Sequence, residues 1–266
     1  MTNQFPQGRK IQGINKIGLF TLIRREVSRF LNVYTQTVLA PVVTTLMFYT
    51  VFALAFGGIG REMNGISFLA FLAPGLIMMT MVQNAFANTS SSLVISKVQG
   101  NIVDVLMPPL SAMEIYTGYA TGAVIRGLTV GFCTTIVLSL FAPIQIYSLP
   151  AVIAFAFLGT LMLGNLGIVA GIWADRFDHI AAVTNFVVMP MTFLSGTFYS
   201  IDVLPGMWQN IARFNPFFYM IDGFRYGFIG QTNGSVIVGL VLLSLCNIGL
   251  IILAYRMIKT GYKIKS

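Results

Sequence analysis

Six apolar runs constrain this chain more than anything else in its sequence, and Arg126 is the only charge inside any of them. They are Val38–Phe56, Ile66–Val82, Tyr116–Phe141, Leu149–Trp173, Ile180–Phe198 and Val236–Tyr255. A hydrocarbon core about 30 Å thick takes about 20 helical residues to cross. Backbone groups in lipid must bond internally, so the runs read as helices rather than open sheets. The second run is short, and continues as a helix through Asn84, Asn88 and Ser92 if protein shelters that end. Pro41 sits near the start of a span, where proline is tolerated, whereas Pro74 and Pro190 should kink theirs. The expectation is an all-α integral membrane protein with six transmembrane helices.

Charge confirms that class and sets its orientation. Charged residues are 9% of the chain, against about 25% in a soluble protein, too few to coat a globular surface. A soluble enzyme, a disordered chain and a nucleic-acid-binding domain are excluded. Of 16 basic residues, 12 fall in the two tails and the loops at Lys97 and Arg176. Arg61, Arg213 and Arg225 fall on the other side. The positive-inside rule makes the richer face, with both termini, cytoplasmic, and an even number of crossings follows. Cys133 and Cys246 lie in apolar runs and suggest neither a disulfide nor a metal site.

The first 37 residues lack the apolar core of a cleavable signal peptide. Ile17, Phe20, Ile23, Val27 and Leu31 recur at helical spacing opposite Thr21, Arg25, Ser28 and Arg29, the pattern of an amphipathic helix lying in the membrane interface. Three parts follow: residues 1–37, a tail with this helix; 38–258, the six-helix domain; and 259–266, a basic tail. Within the domain, a cytoplasmic loop covers about 96–113 and an outer region about 201–230.

In the cytoplasmic loop, Gly100 and Pro108-Pro109 bracket Asn101–Met107, room for about two helical turns. A short helix there exposes Asp104 and Lys97, either as a plain interfacial loop or as a docking surface. In the outer region, Asn215-Pro216 is a helix start and Pro216–Phe228 is apolar but too short to cross, hence re-entrant or interfacial. Asp222 and Arg225, three apart, are placed to pair. Phe198, Tyr199 and Trp208 belong to an aromatic concentration that reads as a headgroup belt or as an exit gate. Arg126 either serves the pathway, or snorkels from the cytoplasmic third of its span, or pairs with Glu114. Asn84, Asn88, Ser91 and Ser92 share a helix face and either line a polar path or pack helices. His179, in D-R-F-D-H, is read as part of a turn rather than a metal ligand.

No G-x-x-x-x-G-K-[ST] sequence occurs, so any ATP used is hydrolysed by another chain. A stand-alone secondary transporter or channel wants carboxylates within its spans, and all eight acids lie at or beyond span ends. A lipid-modifying enzyme wants a cluster of His, Asp and Glu that one histidine and dispersed acids do not make.

The sequence resembles the type-2 ABC exporter permeases over nearly its whole length. The resemblance is carried in order by R-R-E-V-S-R-F, F-L-A-P-G-L-I-M-M-T-M-V-Q-N-A-F-A-N, L-M-P-P-L-S-A-M-E, F-L-S-G-T-F-Y-S-I-D-V-L-P and N-P-F-F-Y-M-I-D-G-F-R-Y-G-F. It implies a half-transporter of a bacterial inner membrane, pairing as a homodimer amid membrane lipid and binding no nucleic acid. It implies a separate cytoplasmic ATPase subunit that holds ATP and Mg, with no cofactor on this chain. Export of lipid-linked, lipid-like or drug-like molecules follows. Gly100, Asn101, Asp104, Met107 and Pro108 would form the coupling contact. Where many relatives carry a charged E-R-E stretch before that helix, this chain has K-V-Q-G-N.

Overall fold

The computed structural model describes residues 13–56, 62–63, 65–142 and 144–264. Arg9, Lys10, Arg61 and Lys265, counted above in the charge asymmetry, lie outside the described residues, as does the start of the tail. Helix α1 (Lys16–Leu31) opens on Asn15, whose side chain accepts from the Gly18 N–H at 2.9 Å. A π-helical turn, Thr35–Leu39, leads into α2 (Ala40–Phe56). A two-stranded hairpin, Glu62–Met63 against Ile66–Ser67, interrupts the otherwise helical order. Then come α3 (Phe68–Val98), the short α4 (Ile102–Leu106), α5 (Ala112–Ser139) and α6 (Leu149–Trp173). Next are α7 (Phe177–Val183), a π turn at Thr184–Val188, and α8 (Met189–Phe193). The outer region holds α9 (Gly206–Phe214) and α10 (Pro216–Ile229), and α11 (Val236–Thr260) closes the chain.

Among the described residues five helical stretches are long and apolar enough to cross a membrane: Thr35–Phe56, α3, α5, α6 and α11. The fifth apolar run departs from expectation. Its helix, Phe177–Phe193, is shorter than the about 20 residues of an ordinary crossing and contains the π turn. Pro190 accounts for the break: it has no N–H to give the Phe186 carbonyl, and the ladder widens just before it. Pro74, by contrast, is absorbed inside a continuous α3.

Helix α3 is the axis of the fold. Its apolar window is 83% buried, while those of Thr35–Phe56 and α11 are only 17% buried. It runs well past Val82, as the sheltered-end reading requires, because α1, α5 and α6 cover its polar half. Glycines set how closely these helices approach. Four G-x-x-x-G pairs lie within helices, at Gly118/Gly122, Gly127/Gly131, Gly167/Gly171 and Gly223/Gly227. The first receives Leu22 and Glu26 of α1, the second Met81 and Ala85 of α3. The third receives Phe86, Thr89 and Leu93 of α3, and the last receives Phe155 and Val152 of α6. Helices in lipid gain little from hydrophobicity and associate through such close contacts.

Candidate functional site

The polar face of α3 meets charged groups from two other helices. Arg126 donates to the Asn84 Oδ1 at 3.0 Å and is 8% exposed. It stands at the middle of α5, about 20 Å along the helix from Ala112. It does not pair with Glu114. That carboxylate is engaged in a capping box with Ser111 and accepts the Asn15 N–H. Lower on the same face, Arg29 donates to the Asn88 carbonyl at 2.7 Å, to the Asn88 Oδ1 at 3.0 Å and to the Ser91 Oγ at 3.4 Å. Glu26, fully buried, accepts from Arg29 at 3.3 Å and from Ser92 at 2.8 Å.

This arrangement reverses part of the amphipathic reading of α1. The face carrying Glu26 and Arg29 turns into the protein, because Gly118 and Gly122 leave room for it and α3 supplies the partners. The apolar side, with Ile17 and Phe20, stays exposed, as an interfacial helix requires. Asn84, Asn88, Ser91 and Ser92 do share a face, and all four hold helix–helix hydrogen bonds.

Two grooves flank α3 and meet at Gln83 and Asn84. One, about 320 Å³, lies against α7 and the π turn, with Ser91, Ile180, Val188 and Met189 in its wall. The other, about 310 Å³, lies against α2, where Thr45 and Thr80 share a hydrogen bond at 2.6 Å.

At the end expected to be cytoplasmic, α4 forms inside the predicted stretch Asn101–Met107. Ile102, Val105 and Leu106 pack inward. Asn101, Val103, Asp104, Met107 and Pro108 face out. Gly100 takes φ +76°, the left-handed backbone that ends α3 and redirects the chain. Lys97 is not exposed as expected. Its ammonium folds back onto the Ile172 and Ala174 carbonyls at 2.8 and 2.7 Å, capping the end of α6. Asp175 joins it at 3.3 Å and takes Lys263 of the C-terminal segment at 2.7 Å. The Lys263 hydrogen bond, with Lys97 adding to it, holds the Asp175 carboxyl below its ordinary range. His179 accepts the Asp175 N–H at 3.2 Å and lies against Trp173, so it is part of this turn.

At the opposite end the sequence-predicted residues separate. Asn215 caps α10 as expected, accepting from the Phe217 N–H at 3.0 Å while donating to the Met191 carbonyl at 2.7 Å. Phe198 stacks on Phe52 and Phe193, with ring centroids 5.3 and 5.7 Å apart, and the Tyr199 hydroxyl donates to the Phe193 carbonyl. Trp208 stands apart, on the exposed side of α9. Asp222 and Arg225 are both buried but do not pair. Asp222 accepts from the N–H groups of Asn233 and Gly234, each at 3.0 Å, and from Thr232. Arg225 donates to the carbonyls of Phe71, Gly196 and Thr197 and lies 3.7 Å from the centroid of the Phe71 ring. Each has partners in loops that neighbour spacing on one helix cannot reveal.

These features define a multi-pass helical membrane protein with a short helix at one end of the bundle and a packed cap at the other. Residues 18–229 match the ABC-2 type transporter family. The chain is 34% identical over 250 residues to the inner membrane transport permease YadH of Escherichia coli (strain K12), covering 94% of this chain and 98% of that one. It is 30% identical over 184 residues to nodulation protein J of Rhizobium leguminosarum bv. viciae, covering 67% and 69%. The chain belongs to the ABC-2 type transporter family and is a membrane transport permease subunit.

Proposed function

We propose that this chain is the membrane half of an ATP-binding cassette exporter, moving an amphiphilic, lipid-linked or drug-like substrate outward across a bacterial inner membrane. ATP and Mg belong to a separate cytoplasmic ATPase subunit, and two copies of the permease pair within the lipid. The observation that carries this reading is α4: a short helix anchored by Ile102, Val105 and Leu106, offering Val103, Asp104 and Met107 to the cytoplasm at the end of the most buried helix. A push there reaches α3 directly, and α3 borders both grooves. The thinly covered faces of α2 and α11 suit lipid or a second copy.

Gly100→Val and Asp104→Lys test the coupling. Valine at φ +76° costs about 1–2 kcal/mol locally and tilts α4, and lysine reverses the charge it presents. In vesicles holding the permease and its ATPase, each variant should insert normally and lose about tenfold or more of ATP-driven transport. Normal transport in both would make α4 a plain loop.

Six crossings, with Phe177–Phe193 and the turn after it spanning as one and α9 and α10 dipping into the outer leaflet, leave both tails cytoplasmic. Cysteines at Asn210 and Gly230 should then both react with an impermeant thiol reagent from outside, and one at Ser266 only from inside. Labelling of the first two from opposite faces would make α10 a crossing and reverse the tail.

A further inference from the structure

We propose that the groove between α3 and the Phe177–Phe193 helix receives an anionic head group, with Arg126 and Arg29 as the charges that select it. This rests on the transport reading, since the ligand is taken to be the cargo, and it narrows that cargo to amphiphiles with a negative head.

The inference begins with an imbalance of charge. Arg126 is buried at mid-helix, and among the described residues no carboxylate lies within ion-pair reach of it. Its one hydrogen bond goes to Asn84, a neutral acceptor, and its Nε, itself buried, has no acceptor. Arg29 shares Glu26, but its Nε is also without an acceptor, as is the Nδ2 of Asn88. Two guanidiniums thus face one carboxylate, and the surplus polar atoms are all donors. An unpaired cation at this depth is costly and persists where something negative meets it.

The placement of the groove completes the argument. Asn84 and Ser91 line it, and behind them stand Arg126 and Arg29, each donating to the residue in front. Gln83 also lines it, and its Nε2, itself buried, has no acceptor. The opposite wall, Ile180, Val188 and Met189, is apolar. The surface of the groove is mostly apolar, with two guanidiniums set one side chain behind Asn84 and Ser91, and this fits an alkyl chain whose negatively charged head is drawn toward those two residues. In so poorly screened a site the same charges repel cations and give a neutral head no advantage.

The test uses the full chain in phosphatidylcholine nanodiscs and two probes with one fluorescent dodecyl tail, one bearing a phosphate head and the other a glucoside. The phosphate probe should bind about tenfold tighter or more. Arg126→Gln should shrink the preference to less than about threefold, and Arg126→Lys should keep most of it. Asn84→Asp gives Arg126 a carboxylate in place, which guards against misfolding, and should abolish the preference. Millimolar inorganic phosphate should not displace the probe. Equal binding of the two heads, no binding of either, or a preference untouched by Arg126→Gln and Asn84→Asp would overturn the proposal. Displacement by phosphate alone would overturn its amphiphilic part. ATP-driven flux, measured separately, bears on the transport reading: flux intact without head-group preference overturns the anion site alone, and preference intact without flux overturns transport alone.

Discussion

Gly167→Leu should leave almost no correctly folded protein, and Gly167→Ala should already cost about 1–3 kcal/mol. A β-carbon at this position would lie 2.6 Å from the Phe86 carbonyl oxygen and against the Thr89 hydroxyl. The first is backbone and cannot swing aside. The second holds α3 to α6 by donating to the Gly164 carbonyl at 2.8 Å. Separating these helices would loosen the most buried helix of the chain, so the damage spreads beyond one contact. Gly249 is the control: it is helical with open space around it, and alanine there should be neutral or gain about 0.5–1 kcal/mol. Size-exclusion profiles and thermal midpoints of fluorescent fusions distinguish the cases. A normal Gly167→Ala protein would mean that the two helices are not packed this closely.

Glu26→Ala should be the most damaging change in α1, at about 3–5 kcal/mol. Glu26 is fully buried, and its removal strands Arg29 beside α3 and leaves the Ser92 hydroxyl without its acceptor. Removing both charges, as Glu26→Ala with Arg29→Ala, should restore part of the loss, because no unpaired ion remains. Glu26→Gln should fall between, since an amide still accepts from Ser92. Denaturant titration and protease sensitivity of α1 measure this order. Equal losses for the single and double variants would mean that the ion pair carries no weight.

Much of this architecture is legible in the sequence, for reasons that depend on local chemistry alone. Leu149–Trp173 is bounded as predicted because an unbroken apolar run has no competing structure in lipid. Asn215-Pro216 and Gly100 mark helix boundaries because capping and left-handed backbone are properties of a few adjacent residues. The helical G-x-x-x-G pairs are also visible in the sequence, and they mark where helices touch. What local chemistry leaves hidden is partner choice. The three-residue spacing of Asp222 and Arg225 suggests a pair, yet the Asn233–Gly234 N–H groups and the Gly196–Thr197 carbonyls lie nearer to hand. Glu26 reads as one more charge on a wet helix face until Gly122 and Ser92 are seen beside it. Lys97 reads as a loop charge until the open end of α6 supplies two carbonyls.

ATP turnover by the purified chain, alone and with its ATPase partner, is the direct test of a permease powered from outside itself. The chain alone should hydrolyse no ATP. Together with the ATPase in sealed vesicles it should support hydrolysis coupled to transport, and Asp104→Lys should separate the two. Hydrolysis by this polypeptide alone, or transport that persists with no ATPase present, would contradict the assignment.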